Sequence, residues 1–216
     1  MIRRFGFVAA LAACIASIAY DIPQVLQAAG VLVPPWDGIL IFAPSLALAP
    51  CFALAMAGLH AATAGERRVW SLAALTLGTI YATLVSIVYI TQLTVVIPHA
   101  IAGDTAYQFL ACCGTHEFLT GVDLLGYTVM GLATLCAGLA LAPAGAPPAA
   151  RWWLFANAAL TPFIFLQVAW PQLIWIAAAW IVTFPAAMAY LAIAFRRGAA
   201  AFGDPLDASP IPGRAS

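Results

Sequence analysis

Six apolar runs, separated by short polar or proline-rich breaks, make up almost the whole of this 216-residue chain. Each run offers the ~20 apolar residues that a bilayer core requires, and the pattern predicts helices near 4–29, 39–62, 69–97, 121–142, 152–170 and 173–195. Trp36, Trp170 and Trp175 fall at one set of run boundaries and Trp70, Trp152 and Trp153 at the other. Indole suits a membrane interface, where its apolar body and its N–H both find partners. Trp180 alone lies deeper. Pro44, Pro50, Pro162 and Pro185 stand inside runs, where each removes an N–H and leaves a carbonyl for a neighbour to satisfy. Most breaks are short, such as Pro143 to Pro148 and Trp170-Pro171-Gln172, so consecutive helices are expected as antiparallel neighbours. The long connection at 98–119 is expected to hold a short helix from Asp104 to Cys113, lying as a lid over the bundle mouth. The tail at 198–216, rich in Gly, Pro, Asp and Ser, has the composition of a disordered segment.

Charge turns the pattern into a topology. All eight basic residues are arginine. Arg3 and Arg4 precede the first run, Arg67 and Arg68 follow the second, Arg151 follows the fourth, and Arg196, Arg197 and Arg214 follow the sixth. The alternate breaks carry no basic residue. This one-sided distribution predicts an all-α bundle of six transmembrane helices with both termini in the cytoplasm. The first run also offers Ser17-Ile18-Ala19 as a small-x-small cleavage site. Retention is the expectation, because apolar character continues through Val25, Leu26 and Val31.

Composition agrees and excludes several functions. A chain that is 65% hydrophobic and 7% charged cannot cover itself with a soluble surface, which is roughly a quarter charged in ordinary domains. A net charge of zero leaves no basic footprint for nucleic acid. The absence of lysine removes retinal and pyridoxal Schiff bases and Walker-type phosphate loops. The expected setting is a bacterial inner membrane, with the bilayer as first partner and an oligomer or membrane partner compatible with the surface.

Depth sorts the remaining polar residues. At ~1.5 Å rise per residue, Asp21 lies ~25 Å from the arginines of its own helix, and Tyr89 and Gln92 lie ~32–36 Å from Arg68. Gln167 and Asp123 reach the same layer, with Tyr127 one turn below Asp123 and Gln24 one turn above Asp21. No ionisable group remains near the midplane, where ion-coupled carriers usually keep one. Asp21, Gln24, Tyr89, Gln92, Asp123, Tyr127 and Gln167 are therefore the candidate ligand-binding set, with Asp21, Gln92 and Asp123 expected to meet in one pocket. Both acids also have a capping explanation. Asp21-Ile22-Pro23-Gln24 reads as a capping box that restarts a helix, and Thr120 to Asp123 as an N-cap with an acid in the first turn.

The 98–119 connection holds His99, His116 and Glu117, the alternative acid–base residues. With Asp123 they could form an N/O metal set, but their spacing matches no zinc motif, and His116-Glu117 lacks the second histidine of H-E-x-x-H. No metal and no cofactor is expected; His60 sits at the arginine-bearing end, away from the other two histidines. Of five cysteines, Cys14, Cys51 and Cys136 fall within spans as small hydrophobes, while Cys112 and Cys113 are adjacent. A free pair, an intermolecular bridge and a vicinal disulfide all remain open for the adjacent pair.

Gly121, Gly126, Gly131, Ala133, Thr134, Ala137 and Gly138 make the fourth run the expected centre of the bundle. Its stretch from Asp123 to Thr134, with Tyr89-Ile-Thr-Gln92 before it and Arg151 to Asn157 after it, resembles multi-pass membrane proteins of bacteria that carry no assigned activity. The resemblance covers roughly 80–160 and implies the membrane class alone. Two function classes follow from the residues. One is a non-enzymatic membrane protein whose outward-facing polar pocket takes a small solute or lipid headgroup. The other is an intramembrane lipid-modifying or hydrolytic enzyme using a histidine and a carboxylate.

Overall fold

The computed structural model describes residues 1–114 and 117–203. Those residues are helical, with no strand among them. Five helical stretches are long and apolar enough to cross a membrane: Ile2–Ala28, Trp36–Ala62, Gly65–Ile101, Phe118–Ala140 and Pro171–Arg197. The composition is that of a multi-pass membrane protein. The helices are α1 (Ile2–Ala28), α2 (Trp36–Ala62), α3 (Arg68–Thr91), α4 (Ile97–Ile101), α5 (Phe118–Ala140), α6 (Pro148–Ala159), α7 (Thr161–Leu166), α8 (Ile174–Ala177) and α9 (Trp180–Arg197).

The long helices pack in chain order and close on themselves: α1 on α2, α2 on α3, α3 on α5, α5 on α6, α6 on α9, and α9 back on α1. This order is what short connections between antiparallel helices produce. It also places α1 among the packed helices, between α2 and α9. The interior is filled by Phe52, Tyr81, Tyr127, Trp180 and Phe184, whose rings touch in a closed chain at centroid separations of 5.0–5.9 Å. Although α5 is the most buried of the five long stretches, it sits in the ring between α3 and α6, not at its centre. Its small residues permit close approach instead, with Gly126 against Val85, Gly131 against Thr161 and Gly138 against Phe155.

The fifth predicted span is broken. In place of one helix over 152–170, α6 ends at Ala159 and α7 begins at Thr161. Pro162 in the first turn of α7 has no N–H with which to continue the α6 ladder. Leu160 between them keeps a helical conformation (φ −78°, ψ −15°), so the chain continues in one direction with a tightened turn. The third span runs longer than expected, because a π-helical turn at Gln92–Val96 carries α3 into α4. α5 begins three residues early, at Phe118: Glu117 is its N-cap residue, so Thr120 is not, and Asp123 is no first-turn cap. Asp21 is not a cap either, since α1 runs unbroken through Asp21 and Pro23. The expected 104–113 helix reduces to the 3-10 turn Gln108–Leu110.

One end of the bundle is knitted by the arginines and the loops beside them. Arg67 donates from Nη1 to the carbonyls of Leu139 and Leu141 at 3.1 and 3.2 Å, and Arg151 Nε donates to Gly138 at 3.2 Å. Cations on the last carbonyls of α5 satisfy orphan acceptors and complement its dipole. The segment after Gly198 is ordered here, contrary to expectation for its first residues. It forms the 3-10 turn Ala199–Phe202, with Phe202 buried 5.0 Å from Phe195. The carbonyls of Phe202 and Ala201 accept the N–H groups of Ala64 and Ala142. The rest of the expected tail, 204–216, lies outside the described residues.

Threonine hydroxyls on the exposed side of α3 are satisfied within their own helix. Thr76, Thr79, Thr83 and Thr91 each donate a hydroxyl to the carbonyl four residues back, at 2.7–3.0 Å, which lets α3 present hydroxyls to an apolar medium. The α1–α2 crossing depends on bare backbone, since a Cβ on Gly58 would fall 2.6 Å from Gly6 Cα. Gly58→Ala is expected to cost about 1–3 kcal/mol in a denaturant titration of the micellar protein. Gly121→Ala, where a Cβ meets open space, is expected to cost nothing measurable.

Candidate functional site

At the arginine-free end, α1, α5, α7, α8 and α9 leave a cavity of about 410 Å³ between them. Its walls are mostly apolar. Four aromatic rings line it: Tyr20 from α1, Tyr127 from α5, Trp175 from α8, and Trp180, the first residue of α9. The indole of Trp180 organises the group, meeting Tyr20 edge-on at 5.6 Å and Tyr127 edge-on at 5.1 Å while stacking on Phe184 at 5.0 Å. Asp123 is the single carboxylate of the lining, with Gln24 and Gln167 as its other polar side chains besides the phenols. The Oδ1 of Asp123 is buried and has no hydrogen-bond partner, and Trp180 Nε1 and Tyr81 Oη are likewise unpartnered. Among the described residues no arginine or histidine lies within ion-pair distance of Asp123. A carboxylate oxygen held out of water with no donor, on an acid with no counter-ion, is costly unless something supplies the missing partner.

Four of the seven candidate binding residues thus share one cavity: Gln24, Asp123, Tyr127 and Gln167. Tyr89 stands just behind it, with its hydroxyl hydrogen-bonded to that of Tyr127 at 2.8 Å. Asp21 and Gln92 do not line the cavity, so of the expected trio only Asp123 does. Asp21 is buried and accepts the Ser17 hydroxyl on Oδ2 at 3.1 Å, leaving Oδ1 without a partner. Tyr20, its neighbour, takes the cavity-lining place on α1. Gln92 is 2% exposed and both ends of its amide are engaged. Nε2 donates to the Leu110 carbonyl at 2.8 Å, and Oε1 accepts the Cys112 N–H at 3.2 Å. Gln92 is therefore the tether of the 102–114 segment, placed at the start of the π-helical turn.

Of the alternative acid–base residues, His99 and Glu117 are each engaged locally. His99 donates from Nδ1 to the Val95 carbonyl at 2.8 Å, and its Nε2 lies 4.0 Å from Asp104, beyond hydrogen-bond reach. Glu117 closes its own loop by accepting the Gly114 N–H at 2.9 Å and the Thr120 hydroxyl at 3.1 Å. His116 lies outside the described residues. Cys112 and Cys113 are joined to each other as a disulfide, which selects one of the three states left open by sequence. Sequence reasoning named Tyr127 but missed the other three aromatic walls, Tyr20, Trp175 and Trp180. Trp175 reads as an interface anchor and Tyr20 as one more apolar position of the first run beside Asp21, although the depth of Trp180 was a usable signal.

No protein-family model matches the chain, and no curated protein or solved structure is significantly similar to it.

Proposed function

We propose that this is a six-crossing protein of a bacterial inner membrane, with the arginine-bearing end in the cytoplasm. In this reading its outward-facing cavity binds an amphipathic organic cation, a protonated or quaternary amine on an apolar body. The observation that carries the proposal is the Asp123 carboxylate, half-buried in the lining of a cavity walled by four aromatic rings and with its Oδ1 left without a partner. Aromatic faces attract a cation through their quadrupoles, by roughly 0.5–1 kcal/mol at exposed sites and about 2 kcal/mol once desolvated. The volume falls in the usual range for small-ligand sites, and apolar walls with a few convergent polar groups are their usual make-up. Binding rather than catalysis fits, because the polar groups are phenols, amides and one acid with no base beside it.

The test compares benzyltrimethylammonium with neopentylbenzene, its neutral isostere, using tryptophan fluorescence of the protein in nanodiscs. The cation is expected to bind about 30-fold more tightly, from ~2 kcal/mol of charge recognition. Equal affinities would refute the proposal. Competition from phosphatidylcholine in the disc would identify the occupant as a lipid headgroup, and indifference to disc composition a free solute.

The sixth crossing rests on α6 and α7 together, which cover 19 residues from Pro148 to Leu166, or ~28 Å of helix against a core of ~30 Å. The expected labelling of intact cells by an impermeant thiol reagent is reaction at Cys112 or Cys113 after mild reduction. Cysteines introduced at Glu66 or Pro147 should react only after lysis. The reverse pattern would invert the orientation.

A further inference from the structure

Cys112 and Cys113 lie against the carboxylate that the cavity leaves unpartnered. Their sulfurs and a carboxylate oxygen of Asp123 all fall within 4.8 Å of one another. From this geometry we infer a second site: when the Cys112–Cys113 disulfide is reduced, the two thiolates and Asp123 bind one thiophilic divalent cation. The site shares Asp123 with the aromatic cavity, but its two sulfur donors do not line that cavity.

The pair is held in place by more than its own bond. The Cys112 N–H is fixed by Gln92 at 3.2 Å, and the Cys113 N–H by the Thr120 hydroxyl at 2.6 Å. That hydroxyl is in turn oriented by Glu117 at 3.1 Å. Cys113 has a φ of 81°, a left-handed conformation that residues with a Cβ seldom take without such support. Reduction therefore leaves two thiols anchored through their backbone beside an acid, not a free loop. Ligand atoms about 2.3 Å from a tetrahedral metal stand about 3.8 Å apart. Once reduced, the sulfurs are free to take that spacing, and a carboxylate oxygen of Asp123 already lies within 4.8 Å of both. Two sulfur donors and one oxygen favour a soft or borderline ion such as Zn²⁺ or Cd²⁺ over Mg²⁺ or Ca²⁺. The fourth position stays open.

The chemistry balances through a dithiol reductant. One of its thiolates attacks a disulfide sulfur, and its second thiol resolves the mixed disulfide, so that the reductant leaves oxidised and the protein gains two thiols. The cation then displaces both thiol protons, which pass to solvent. In the oxidised state neither sulfur is an anionic ligand and Asp123 alone cannot hold the ion. The site is thus switched by redox state.

Full-length protein in detergent, oxidised or treated with a phosphine reductant and desalted, is titrated with Cd²⁺ while the ultraviolet sulfur-to-cadmium charge-transfer band is followed. The reduced protein is expected to show a saturable band at one equivalent, and the oxidised protein none. The double variant Cys112→Ser, Cys113→Ser controls for Cys14, Cys51 and Cys136 and is expected to lose the band. Asp123→Asn, similar in shape, is expected to keep both thiols but to weaken binding at least tenfold. Circular dichroism confirms that each variant is folded. A band of equal strength in the double variant or in oxidised protein would overturn the assignment. So would absence of binding after reduction, or full affinity in Asp123→Asn. Cation binding in the aromatic cavity is read on oxidised protein without metal, so the two proposals fail separately.

Discussion

Asp123→Leu is expected to give a protein that is more stable when empty and binds benzyltrimethylammonium ~10²-fold more weakly. The wild-type carboxylate has a buried oxygen with no partner, and such a group carries a desolvation cost of about 1–3 kcal/mol that an apolar side chain of comparable size does not. An ionisable side chain within a membrane-spanning helix adds to that cost. Removing it should therefore raise the unfolding free energy of the ligand-free protein by about 1–3 kcal/mol, read as an upward shift of the thermal midpoint in detergent. The same change leaves a bound cation without a counter-charge in a low-dielectric cavity, at a cost of about 3 kcal/mol and hence ~10²-fold in affinity. Stability and binding should move in opposite directions, as they do where a site is kept at the expense of the fold. A variant that is less stable than wild type would instead assign Asp123 a structural role.

The parts of this architecture that were legible in the sequence are those that the bilayer dictates locally. A spanning helix satisfies its backbone within itself, so runs of apolar residues mark α1, α2, α3, α5 and α9 without knowledge of their neighbours. The arginines locate one end for the same reason, and Arg67 and Arg151 are found there on the carbonyls of α5. Boundaries were less legible because caps compete. Thr120 carries the pattern of an N-cap, but its hydroxyl is drawn to Glu117 and to the Cys113 N–H, and the helix starts before it. Depth along a helix follows from its rise; the direction in which a side chain faces does not. Helix rise assigns Asp21, Gln92 and Asp123 similar depths, yet of the three only Asp123 lines the cavity, because facing is set by which helices meet. Tyr20, Trp175 and Trp180 escaped for a related reason. An aromatic residue in an apolar run has the same sequence signature whether it anchors in lipid, fills a core or walls a site. Asn157, an amide in an apolar run, is buried and ties α5 to α9. Its Nδ2 donates to Thr134 at 3.2 Å, and its Oδ1 accepts the Thr183 hydroxyl at 3.0 Å.

Gln92→Leu is expected to free the 102–114 segment while leaving the aromatic cavity able to bind its cation. The Gln92 amide is the side-chain link from the π-helical turn to that segment, holding the Leu110 carbonyl and the Cys112 N–H at once. Leucine fills a similar volume but offers neither a donor nor an acceptor, so two backbone groups lose their partners at about 1–1.5 kcal/mol each. The local opening equilibrium should then shift by ~10²-fold, measured as faster hydrogen exchange at the Cys112 amide. Exchange in the middle of α5 should not change. Gln92→Glu retains the acceptor for Cys112 and loses the donor to Leu110, and its exchange rate should fall between the two. Because Gln92 is absent from the cavity lining, benzyltrimethylammonium affinity should change by less than about threefold, under 1 kcal/mol. Unchanged exchange together with lost affinity would place Gln92 in the binding site and remove its role as a tether.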